Sequence, residues 1–172
     1  LEQIDGTDTN CDGQPDAFGI EEDFGGSYIV GTSMGDAFGS GMAIADLDSD
    51  GRDDLIVLQS ADSTETAAGF GLASIGLGSS LSTTPSVASS MDFLVRTTSS
   101  SGSLDSVGTV SDLDGDGGIE LLLGASEFDG GMGGVWVLTG SDLVSSAQVD
   151  LDDASWLLWG IGDGFGQGVM DG

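Results

Sequence analysis

Three segments place hard oxygen donors at alternating positions within nine residues. The second runs Asp46-Leu47-Asp48-Ser49-Asp50-Gly51-Arg52-Asp53-Asp54, and the third runs Asp112-Leu113-Asp114-Gly115-Asp116-Gly117-Gly118-Ile119-Glu120. The first is Asp8-Thr9-Asn10-Cys11-Asp12-Gly13-Gln14-Pro15-Asp16. Calcium takes six to eight oxygens at about 2.3 to 2.6 Å, and a tight loop supplies them from side chains at positions 1, 3 and 5, a backbone carbonyl at 7 and an acid at 9. The expected ligands are therefore Asp46, Asp48, Asp50, the Arg52 carbonyl and Asp54 in the second loop. In the third they are Asp112, Asp114, Asp116, the Gly118 carbonyl and Glu120. In the first they are Asp8, Asn10, Asp12, the Gln14 carbonyl and Asp16.

An EF-hand would need a bidentate Glu at position 12 and helices on both sides. Position 12 is Gly19, Val57 and Leu123 in the three loops, and an apolar, strand-like run follows the last two. Magnesium fits less well, because it keeps several waters and seldom uses an all-protein cage. The competing explanation is that the Asp side chains only cap turns by bonding to nearby backbone N–H groups. Four carboxylates in nine residues repel one another, and a shared dication removes that repulsion. Calcium is the expected ion.

Composition removes most other chemistry. Thirty Asp and Glu face two Lys and Arg, with no His, for a formal charge of −28 over 172 residues. A Ser-His-Asp triad, an imidazole zinc site, a lysine Schiff base and a phosphate-loop lysine are all excluded. Nucleic acid and anionic lipid surfaces would be repelled, since binding them depends on Lys and Arg. Paired carboxylates can hydrolyse glycosides, but these Asp residues are committed to metal spacing, so no enzyme activity is expected. The hydrophobic fraction of 38% is too high for a chain that stays unfolded despite its charge. No apolar run is long enough to insert in a membrane as a helix.

The elements that must hold these loops recur. Asp46 and Asp112 stand 66 residues apart. Phe38-Gly39 and an apolar rhythm lead into the second loop, and Leu104-Asp105 stands at the matching place before the third. A further entry turn appears at Phe165-Gly166. Short β-prone runs precede each turn: Tyr28-Ile29-Val30, Phe93-Leu94-Val95 and Trp156-Leu157-Leu158-Trp159. Gly134-Val135-Trp136-Val137-Leu138 follows the third loop, with Gly69-Phe70-Gly71-Leu72-Ala73 its counterpart after the second. These runs, bounded by Gly, Ser and Asp, read as strands, about four to a repeat, the size of a propeller blade. The Ser/Thr-rich stretches Ser79 to Ser90 and Thr97 to Ser103 read as solvated loops.

The order Phe-Gly, apolar run, Asp-x-Asp-x-Asp-Gly-x-x-Asp, apolar strand resembles the FG-GAP repeat of integrin α-type propellers and many secreted bacterial proteins. Phe38 through Leu58 carries it best, and Asp112 through Ser126, with Leu123-Gly124-Ala125-Ser126, nearly as well. The resemblance implies an all-β fold of FG-GAP-like β-propeller blades, or a partial, open blade array, with calcium on inter-strand loops. It also implies an extracellular or cell-surface role in adhesion or scaffolding. The segment Asp5 to Gly13 is similar to a Cys-containing metal-binding motif of secreted bacterial surface proteins. The chain divides accordingly into a partial repeat over 1–26, repeats over 27–92 and 93–153, and a half-repeat over 154–172. The end fragments are complementary, one with a loop and no entry strand, the other with an entry turn and no loop. Head-to-tail assembly into a fibre, or a place within a longer surface protein, is the resulting expectation.

Trp136, Trp156 and Trp159 read as core aromatics, as do Phe38 and Phe165. Arg52 and Arg96, the two fixed cations, are expected to pair with neighbouring carboxylates. Cys11 is the single cysteine, so no internal disulfide forms, and an intermolecular one competes with an inert thiol. The sequence reads as a processed or partial chain whose targeting signal, if any, is already removed. The functional expectation is an extracellular, calcium-stabilised structural or adhesive module whose partners are copies of itself or other extracellular proteins, with glycans a further candidate. The alternative is a carbohydrate-binding or glycoside-hydrolysing propeller.

Overall fold

The computed structural model describes residues 28–31, 37–60, 71–81, 86–88, 91–97, 103–143, 148–161 and 165–169. Their strands are β1 (Ile29–Val30), β2 (Phe38–Ala45), β3 (Asp54–Gln59), β4 (Leu72–Gly76), β5 (Ser86–Val87) and β6 (Phe93–Arg96). They continue as β7 (Ser106–Ser111), β8 (Ile119–Ala125), β9 (Gly134–Leu138), β10 (Gln148–Asp150) and β11 (Trp156–Trp159). Among the described residues helical turns include Phe128–Gly131, Gly140–Leu143 and Leu151–Asp153. The fold is all-β.

Two antiparallel meanders dominate. In the first sheet β2, β3, β4 and β6 lie side by side, and in the second β7, β8, β9 and β11 do. The runs Asp54–Gln59 and Ile119–Ala125 form central strands because they are rich in Leu, Ile and Val and are buried on both faces. Strand β2 instead alternates, with Ala43 and Ala45 buried and Met42 and Ile44 exposed, as a first strand covered on one side must. One core joins the sheets. Ala43, Ile56, Leu58, Ile75 and Val95 of the first share a buried cluster with Leu121, Leu123, Trp136 and Leu138 of the second.

Two short strands depart from the sequence expectation. Strand β10 leaves the second meander and adds in parallel to β6, at the edge of the first sheet. Strand β5 adds in parallel to β1 in the same way. It lies within the Ser79 to Ser90 stretch expected to be solvated loop, where Ala88 is also fully buried. Both segments are too short and too polar to show strand periodicity, and only their pairing makes them strands.

The two sheets meet in a defined sense. Asp54 and Glu120 occupy equivalent places at the starts of β3 and β8. Tracing the ladders outward from them carries Ile56 onto Leu122, Ile75 onto Val137, Phe93 onto Trp156 and Val95 onto Leu158. Yet the shared core uses Ile56 and Val95 from the first sheet and Leu121 and Leu123, one residue out of phase, from the second. Equivalent residues therefore point in the same direction along the stack, and the sheets succeed one another head to tail. A two-fold sandwich would turn equivalent residues inward on both sheets.

Entry turns seat on the preceding sheet. Leu104, fully buried, packs against the α-carbon of Gly71, and Phe165-Gly166 packs against Gly133, Gly134 and Gly124. A side chain at Gly71, Gly124 or Gly133 would collide with the turn seated there, so these glycines are required by close approach.

Candidate metal centres

Each acidic loop joins the first and second strands of its sheet. Strand β2 ends at Ala45, one residue before Asp46, and β3 begins at Asp54. Strand β7 ends at Ser111, and Glu120 is the second residue of β8. The two loops bend alike. Ser49 and Gly51 have left-handed φ of +58° and +86°, and Gly115 and Gly117, at the matching positions, have +85° and +90°. A Cβ on Gly51 would meet nothing within 4 Å, so the requirement there is conformational.

The bends converge carboxylates. One oxygen from each of Asp46, Asp48 and Asp50 lies within 4.8 Å of the others, and the same holds for Asp112, Asp114 and Asp116. Two oxygens bound to one calcium at about 2.3 to 2.6 Å can be up to about 5 Å apart, so each trio fits a single ion. Backbone donors hold the trios in place. Asp46 accepts from the N–H groups of Asp50 at 3.0 Å and Gly51 at 2.9 Å. Asp48 accepts from Asp50 N–H at 3.1 Å and Asp50 from Arg52 N–H at 2.8 Å. In the other loop Asp112 accepts from Gly117 N–H at 2.8 Å, Asp114 from Asp116 at 3.0 Å and Asp116 from Gly118 at 2.7 Å.

The remaining expected ligands lie differently. Asp54 and Glu120 are each only 1% exposed and stand outside the trios. Both oxygens of Asp54 are engaged, by Leu47 N–H and Gly78 N–H at 2.8 Å each. Glu120 accepts from Leu113 N–H at 2.5 Å. These two acids brace the loop against the sheet. The Gly118 carbonyl accepts from Asp112 N–H at 2.8 Å, which closes the base of the third loop. The Arg52 residue is exposed at the second loop. The first loop, with Asp8, Asn10, Asp12, Gln14, Asp16 and Cys11, lies outside the described residues.

The Asp48 carboxyl is raised above the usual 3.8, first by desolvation and then by repulsion from Asp50, Asp54 and Asp46, partly offset by the hydrogen bond from Asp50. Protonation of Asp48 competes with metal binding. Calcium affinity of this loop should therefore begin to fall, on acidification, at a higher pH than an ordinary aspartate cluster would allow, as read from calcium titrations across pH 7 to 4 (roughly the range of carboxylate titration).

Ser49 tests the bend itself. A non-glycine residue in the left-handed region costs roughly 1 kcal/mol, and the equivalent position in the other loop is glycine. Ser49→Gly is expected to raise stability by about 0.5 to 1 kcal/mol, measured by urea unfolding.

Other acids, not singled out from the sequence, act as turn clamps. Asp105 accepts from Ser126 N–H at 2.6 Å and Ser126 Oγ at 2.5 Å. Asp142 accepts from Thr139 N–H at 2.8 Å and Ser155 N–H at 3.1 Å, and Asp92 from Leu77 N–H at 2.8 Å. Only the Thr139–Asp142 contact is local; the other partners lie 13 to 21 residues away in sequence, so spacing carries no signal for them. The aromatic expectations divide. Trp136 is buried and meets Phe128 edge to face at 4.9 Å. Trp156 and Trp159 are exposed, because β11 is the last strand of its sheet. Phe165 is also exposed, although it packs on Gly133 and Gly160.

The sequence matches no known protein-family profile and has no significant similarity to any curated protein. No helix among the described residues is long and apolar enough to cross a membrane.

Proposed function

We propose that this protein is a calcium-stabilised structural or adhesive module of the FG-GAP type, acting outside the cell and assembling with copies of itself. The observation that carries the reading is the pair of carboxylate trios, built on matching bends at matching places in two successive antiparallel sheets. A hard dication supplies what the loops lack, a positive centre among converging acids in a chain with two cationic side chains. Asp46, Asp48 and Asp50 would hold one ion and Asp112, Asp114 and Asp116 another. Each ion would fasten the turn between the first two strands of its sheet. Binding and scaffolding need only what the loops provide.

Isothermal titration of the chelator-treated chain tests this. Calcium should bind with Asp46→Asn and Asp112→Asn each removing one binding event, and magnesium should compete weakly. Calcium uptake that neither variant changes would overturn the reading.

A further inference from the structure

Strand β11 ends the second sheet and has no neighbour on its outer edge among the described residues, whereas the equivalent edge of β6 in the first sheet is paired with β10. Its four residues, Trp156, Leu157, Leu158 and Trp159, are large, apolar and 42% to 56% exposed. The run from Ser155 to Ile161 carries no charge, in a chain with thirty acids. Bare edges are ordinarily guarded by charged side chains, prolines or bulges, because their N–H and C=O groups pair with any strand that fits. This one is unguarded. Strand β7, at the other border of the sheet, has no such exposed apolar run.

The backbone phase of the edge follows from one bond. Gly160 N–H donates to the Gly133 carbonyl at 3.0 Å, and this pair continues the register in which Trp159 faces Gly134. Hydrogen-bonding direction alternates along an antiparallel strand. Trp156 and Leu158 therefore turn their backbone groups toward β9, and Leu157 and Trp159 turn theirs outward. Ser155 shares the outward phase, and its N–H is already held by Asp142 at 3.1 Å.

We propose that β11 pairs edge to edge with β11 of a second copy, antiparallel about a two-fold axis at Leu158, so that the four strands of each second sheet run on as one continuous sheet. This deepens the reading of a self-assembling module and rests on it. Phase sets the axis, since outward residues must lie opposite outward residues. With the axis at Leu158, Leu157 lies opposite Trp159 of the second copy and Trp159 opposite its Leu157, and every outward N–H and C=O of the strand finds a partner. With the axis at Leu157, Trp159 would face Ser155, whose donor Asp142 holds. Side chains match as well. Leu158 meets Leu158 on one face, and Leu157 meets Trp159 twice on the other, cross-strand apolar pairs of the kind that stabilise sheets. The charges permit a second copy at this border. The order β11-β9-β8-β7 puts the Asp112–Asp116 loop, between β7 and β8, at the far side of the sheet. In the joined sheet the two loops stand six strand spacings apart, on the order of 29 Å, well beyond the screening length of about 8 Å at physiological salt. The contact uses the same edge on both partners, so it closes at a dimer.

The test is sedimentation velocity of the intact chain in calcium at about 0.15 M salt, joined to cysteine cross-linking. The wild-type chain should show a concentration-dependent dimer. Leu157→Pro deletes an outward donor and leaves the bonds to β9 in place, and it should raise the concentration needed for dimers by about tenfold or more. Leu158→Cys should cross-link to its own copy under mild oxidation, because α-carbons of a directly opposed, non-hydrogen-bonded pair lie about 4.5 Å apart. Leu157→Cys should stay at the wild-type background set by Cys11, because its two copies would lie about 9 Å apart, too far for a disulfide. A wild-type chain that stays single at every concentration overturns the proposal. So does an undiminished dimer of Leu157→Pro, a Leu158→Cys chain that does not cross-link, or Leu157→Cys cross-linking as readily. Should the proline variant not fold, the two cysteine variants decide. Calcium-dependent melting of the same samples separates the two ideas: a retained calcium response without the dimer defeats the edge pairing alone, and a lost response defeats the module reading.

Discussion

Removing calcium should lower the thermal midpoint by roughly 10 to 20 °C. A ligand that binds only the folded state adds stability that grows with the logarithm of its free concentration, about 2.7 kcal/mol per site at a hundredfold excess over the dissociation constant. Two such sites contribute about 5 kcal/mol, and in a chain of this size 1 kcal/mol moves the midpoint by about 2 to 4 °C. The effect has a physical source in the loops. Without an ion, each trio holds one oxygen from each of three carboxylates within 4.8 Å of the others, and their repulsion adds to the desolvation that raises the Asp48 pKa. Asp50→Asn should remove about half of the calcium-dependent increment while changing little in the presence of chelator. Calorimetric scans with calcium and with chelator measure both, and superimposable wild-type curves would exclude a structural role for the ion.

Asp54→Ala should behave in the opposite way, destabilising the chain by about 2 to 4 kcal/mol whether or not calcium is present. The side chain is buried and both its oxygens serve backbone donors, Leu47 N–H within the loop and Gly78 N–H beyond β4. Truncation leaves two donors unsatisfied, each costing about 1 to 3 kcal/mol. Asp54→Asn keeps one acceptor oxygen and should recover part of the loss. Urea unfolding of the two variants, each in calcium and in chelator, provides the measurement. A loss confined to the calcium-containing samples would return Asp54 to the role of ligand.

The contrast between the trio and Asp54 marks the reach of spacing as a signal. Alternation along a nine-residue segment is enough to place Asp46, Asp48 and Asp50 together, because successive odd positions of a tight bend fall on one side. The same spacing names Asp54 as one more ligand, and burial at the start of β3, which puts its oxygens on the Leu47 and Gly78 N–H groups, is not visible in that spacing. The apolar runs after the loops were legible as strands from their Leu, Ile and Val content. Ser86–Val87 and Gln148–Asp150 were not, since two or three mostly polar residues become strands only through a neighbour remote in sequence. The exposure of Trp156 was equally hidden. Its type suits a core, and only its place on the last strand of the second sheet leaves it uncovered. Nor does repetition alone tell whether two sheets meet as mirror partners or in file; that depends on ladder register, which begins with Asp54 and Glu120.

Strand β10 has a consequence for how the chain comes apart. Because the route from β9 to β11 passes through the outer edge of the first sheet, the second meander is threaded through its neighbour and finishes only after that edge exists. Loss of β6 therefore frees the connection that positions β11, and disorder in either half spreads to the other. The two halves are therefore expected to melt as a single cooperative body, and excising one of them would leave a remnant with an unzipped border.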